Sequence, residues 1–88
     1  MARFEILEDQ VGIMGGGAEA DILFELGMMH ATGRDCAVDM IAAHKWFNIA
    51  AIKGSERAAE LRAELARSME KADIVKALRE AREWMTIH

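Results

Sequence analysis

Four stretches of the chain repeat apolar residues at helical spacing, and they differ in how much of each helix is apolar. At about 100° per residue, Leu23, Leu26, Gly27 and His30 share one face of a helix predicted over residues 20–32. Ile22 and Met29 flank that face on one side, Phe24 and Met28 on the other, and only Asp21, Glu25 and Thr32 form a polar strip. The second stretch, from Asp39 to Lys53, places Met40, Ala43, Phe47 and Ala50 on one face and Ile41, Ile49 and Ile52 elsewhere. The third has a single stripe, Ala58, Leu61, Leu65 and Met69, with Glu56, Arg57, Glu60, Glu64 and Arg67 outside it. The fourth, ending near Met85, aligns Ile74, Leu78, Ala81 and Met85, flanked by Ala77 and Trp84. A helix apolar around most of its circumference must be covered on more than one side. The first two helices are therefore expected to form the adhesive half of an all-α fold of about four helices in antiparallel hairpins.

Stop signals divide these helices. Gly33 follows the last turn of the first, where a left-handed cap favours glycine. Asp39 is placed to cap the second helix and Ser55 the third, since each side chain can accept an N–H of the following turn. Gly54 ends the second helix, and a break is expected near residues 69–71, where no glycine marks it. Residues 1–19, ending in Gly15-Gly16-Gly17, are read as a flexible N-terminal tail in which Phe4, Ile6 and Leu7 could anchor. The helical domain is read over residues 20–88.

Composition narrows the function classes. The 88 residues contain no proline and one cysteine, so no internal disulfide is available. A net charge of −4, with Lys and Arg scattered among Glu, argues against a nucleic-acid surface. No apolar run reaches the length of a membrane span. The acidic N-terminal stretch lacks the apolar core of a signal peptide. A cytoplasmic protein with neither nucleic-acid nor membrane partners is expected. A chain this short buries little more than about 60% of its unfolded surface, so its net stability should be small.

The signature of the first two helices reads Leu26-Gly27, Gly33, Asp39, Ala43, Trp46-Phe47, Ala50-Ala51 and Gly54, with Ala58 opening the next unit. It resembles the Sel-one-like repeat, a relative of the tetratricopeptide repeat. His30 stands where that family has tyrosine, Asp35 where it has a second glycine and Cys36 where it has valine, and Arg62-Ala63 replaces the next Leu-Gly. The resemblance thus covers one full repeat, about 20–54, and a degenerate repeat or cap, about 55–86. It implies a helical repeat protein of small bacterial type, an adaptor or scaffold with no chemistry of its own. In that fold Gly27 and Ala43 would let the helix backbones approach, with Trp46 and Phe47 filling the interface.

Four residues on the first helix are the candidate contacts for a partner: Phe24, Met28, Met29 and His30. Methionine is adaptable and recurs on surfaces that repack around partners. The occupant is expected to be a segment of another protein, with a second copy of this chain as the alternative. If so, Phe24→Glu should abolish association and leave the fold intact. Candidate chemistry is thin. His30, Cys36 and His44 could converge around one loop as zinc ligands, but no second cysteine accompanies them. The default reading makes His30 a substitute for tyrosine, Cys36 a small buried hydrophobe and His44 solvated. The glycines before Gly17 lead into Ala18-Glu19, where a phosphate loop needs Lys and Ser or Thr. No metal, cofactor or catalytic residue is assigned.

Overall fold

The computed structural model of the chain describes residues 17–88. Residues 1–16, most of the expected tail, lie outside that range. The described residues form four α-helices and no strand: α1 Gly17–Thr32, α2 Met40–Ile52, α3 Glu56–Ala66 and α4 Lys71–Ile87. Helix α1 begins three residues before the expected start, so Gly17, Ala18 and Glu19 belong to it.

The caps follow the sequence closely. Asp39 sits in extended backbone and its carboxylate accepts the Ala42 N–H at 3.0 Å. Ser55 does the same for Ala58 at 3.1 Å. Gly33 takes φ +78° and donates to the Met29 carbonyl at 2.9 Å, closing α1 with a left-handed turn. Asp35, two residues on, also adopts positive φ (+63°), a conformation Asp tolerates better than most residues.

Helices α1 and α2 form an antiparallel hairpin. At the loop end the Asp39 N–H donates to the His30 carbonyl (2.9 Å). At the other end Lys53 Nζ lies 3.5 Å from Glu19 Oε1. Between them Phe47, 2% exposed, presses its ring onto the bare backbone of Gly27. A Cβ on Gly27 would stand 2.5 Å from two atoms of that ring, so the contact requires glycine. Ala43 and Ala50, both fully buried, keep the rest of this face thin. The Phe24 ring closes the contact 5.7 Å from that of Phe47.

Helix α2 is the centre of the fold. Helices α1, α3 and α4 each take their main packing from it, and α3 and α4, though consecutive, do not pair with one another to a comparable extent. This explains why α2 buries side chains around most of its circumference: Ala43, His44, Phe47, Asn48, Ile49 and Ala50. By contrast α3 buries only Ala58, and α4 only Ala77 and Ala81.

Two expected faces are rotated. On α4 Ala81 of the predicted Ile74–Leu78–Ala81–Met85 stripe is fully buried, but its companion is the flanking Ala77, and Leu78 is 39% exposed. Alanine lets the α4 backbone approach α2, and the larger residues settle at the edges of the contact. Trp84 meets Trp46 edge to face, with ring centroids 5.5 Å apart, a favoured aromatic geometry. On α1 the buried set is Ala20, Leu23, Phe24 and Gly27, while Leu26 is half-buried and Ile22 lies on the surface.

Candidate partner-binding groove

Where α1, α2 and α3 converge, an open cleft of about 280 Å³ remains. Met28 and Ala31 come from α1, Met40 and Phe47 from α2, and Leu61 and Leu65 from α3. Glu64 and Ser68 are its polar lining groups. The cause is local: the Phe47 ring is drawn toward Gly27, and α3 presents leucines one turn apart without a bulky residue to fill the gap. The volume falls just below the roughly 300–1,000 Å³ of small-molecule pockets. One or two apolar side chains would fill it. Glu64 is the single ionised group lining it, so the cleft has hydrophobic attraction and little steering charge.

The structure separates the four candidate contacts. Met28 lines the cleft. Phe24 does not; it is 9% exposed and belongs to the core, with the Arg57 guanidinium 5.0 Å over its ring. Phe24→Glu would place a carboxylate against Phe47, so the expectation that this variant keeps its fold is corrected. Met29 and His30 are half-buried and do not line the cleft. Their carbonyls are occupied by the loop: Met29 accepts from Gly33 and Arg34, and His30 accepts from Asp39. Met40, Leu61, Leu65 and Ala31 are not singled out as contacts by the sequence, because they come from three helices and only the folded arrangement makes them neighbours. The Leu61–Leu65 pair was the available signal, being two large apolar residues on a helix that buries only Ala58.

The polar candidates also part company. Cys36 is half-buried, its thiol 3.6 Å from the Met29 carbonyl and 3.7 Å from His30 Nδ1. His44 lies elsewhere, on the buried side of α2 and 3% exposed, rather than in solvent as expected. Among the described residues no group of three or more His, Cys, Asp or Glu side chains is placed to hold a metal ion. Burial holds the His44 imidazole below its ordinary pKa of 6.5, and the Arg62 charge adds to the effect. Trp46 is half-buried, carries Lys45 Nζ 4.5 Å over its ring and meets Trp84 on its edge, so α2–α4 packing accounts for it.

No helix among the described residues is long and apolar enough to cross a membrane. Comparison of the chain with protein-family models, with curated proteins and with solved structures returns no match.

Proposed function

We propose that this protein is a non-catalytic interaction module that seats an apolar segment of another protein in the cleft between α1, α2 and α3. The observation that carries the reading is the cleft itself, a preformed apolar depression walled by Met28, Met40, Phe47, Leu61 and Leu65. Methionines at two walls let it reshape around different side chains. A helix laid in the groove, with anchors three or four residues apart, or an extended peptide would each insert one or two side chains. The resemblance to the Sel-one-like repeat argues in the same direction, toward a small cytoplasmic adaptor of bacterial type. The interlocking of Gly27 with Phe47 supports that resemblance as far as one hairpin. In this reading Met28 keeps its assigned role, and Met29 and His30 shape the loop that bounds the site.

Met40→Glu tests the reading. Met40 is 40% exposed, lines the cleft and opens α2, where a carboxylate is favoured by the helix dipole and the fold should survive. Peptides selected from a random display library on the wild-type protein should carry paired apolar anchors. They should lose affinity at least about tenfold for Met40→Glu, the equivalent of about 1.4 kcal/mol, and keep it for Ile22→Glu, which is exposed and outside the cleft. Equal loss with both variants, or with neither, would remove the cleft from consideration. Light scattering on the same proteins distinguishes the remaining class: a wild-type dimer that Met40→Glu converts to monomer would make the cleft a self-association surface.

A further inference from the structure

His44 is the most deeply buried ionisable group in the described structure, and its Nδ1 has no hydrogen-bond partner there. Buried polar atoms are nearly always satisfied, so an orphan of this kind calls for an explanation. One turn further along α2, Asn48 is 8% exposed and its amide oxygen accepts from the Arg62 guanidinium of α3. Asn48 thus ties the charged end of Arg62 into the same α2–α3 seam as His44. Arg62 is the charged group that acts on His44. From α1 and α4, the other helices packed on α2, no ion pair or hydrogen bond reaches the imidazole among the described residues.

We propose that the His44–Asn48–Arg62 seam is an acid-sensitive latch: proton uptake by His44 releases α3 from α2. A protonated imidazole here would be a buried cation with no carboxylate paired to it among the described residues and the Arg62 guanidinium nearby. The ion can relieve that only by reaching water, and α3, which buries nothing larger than Ala58, is the cover that can move. Because Leu61 and Leu65 ride on α3, the same event takes down one wall of the cleft. That consequence rests on the cleft being a binding site; the latch does not. The direction follows from the sign of the shift. The closed state holds its imidazole below the ordinary 6.5, so the latch is fully closed above that value and weakens as pH falls below it. Each unit of depression corresponds to a tenfold shift toward the open state at the acid limit.

The test is NMR on the intact chain between about pH 5 and 7.5, where Asp and Glu stay largely ionised. The His44 ring should remain neutral below 6.5. Amide protection factors in α3, corrected for intrinsic exchange, should fall with pH at least several-fold more than those in α1. Arg62→Gln, which can still donate to Asn48, should move the His44 midpoint upward. His44→Gln should flatten the pH dependence in α3. If His44→Gln does not fold, the wild-type titration and the Arg62→Gln shift decide alone. A His44 midpoint at or above 6.5, or α3 protection that stays level with α1 across the range, would overturn the latch. Neither readout involves a partner, so failure here is distinct from failure of the cleft.

Discussion

The α1–α2 hairpin and the α3–α4 half are both helical and similar in length, yet they are held by different means. The hairpin interlocks large against small, with the Phe47 ring on the Gly27 backbone and Phe24 behind it. The second half leans on α2 through alanines: Ala58 on α3, Ala77 and Ala81 on α4. Its large residues, Leu61, Leu65, Trp84 and Met85, remain half-buried at the edges. A contact between a ring and a glycine fixes one register, because neither partner has a substitute nearby. An alanine seam fixes proximity but leaves the helix freer to lift. Rigidity and adaptability thus belong to different seams of α2, and the cleft lies where the α1 and α3 seams meet.

The contrast can be broken most severely at Phe47. Phe47→Ala should cost about 3–5 kcal/mol, as for other buried aromatics. That consumes much of the stability available to a domain of this size and should show as loss of the cooperative helical melt in circular dichroism. Gly27→Ala comes next. Alanine is the better helix former by about 1 kcal/mol, but its Cβ would meet the Phe47 ring at 2.5 Å. Overpacking of this kind costs about 1–3 kcal/mol, and a net loss is expected. A raised melting temperature would show that the ring can move aside and that the hairpin is not interlocked at this contact.

Trp84→Ala sharpens the comparison from the other side. Trp84 is half-buried and meets Trp46 on its edge, so about 1–2 kcal/mol should be lost, with amide exchange accelerating in α4 more than in α1. Uniform acceleration would mean that the two halves are one unit. The smallest effect compares two caps. Asp39→Ala should cost about 1 kcal/mol because the carboxylate caps Ala42. Glu70→Ala, at the start of α4, should cost far less, since Glu70 makes no capping bond. Matching urea midpoints for the two variants would contradict the assignment.

What could be read in advance divides along the same line. Asp39, Ser55, Gly33 and Gly54 act over a few residues, and each sits where its local chemistry placed it. The resemblance placed Gly27 and Phe47 at the α1–α2 interface, where they meet, but it placed Trp46 there too, and Trp46 packs instead on Trp84 of α4. Phe24 was misjudged for a geometric reason. On a helix apolar nearly all round, the pattern does not say which flank is covered, and Arg57 from α3 helps to cover that one. His44 was misjudged because one polar residue between Ala43 and Lys45 looks solvated until α3 is laid over it. The cleft was invisible, since it belongs to three helices and to none of them singly.

The central position of α2 also bears on how the chain acquires its structure. Its contacts with α1 and α3 join neighbours along the chain, and only the seam with α4 spans a whole intervening helix. Closing short connections costs little chain entropy, and topologies dominated by them fold fast. Interactions in α2, above all those of Phe47, should therefore already be formed at the folding barrier, while Ala77 and Ala81 of α4 should gain theirs on the downhill side. Substitutions in the middle helix would then slow folding, and substitutions in the last would hasten unfolding.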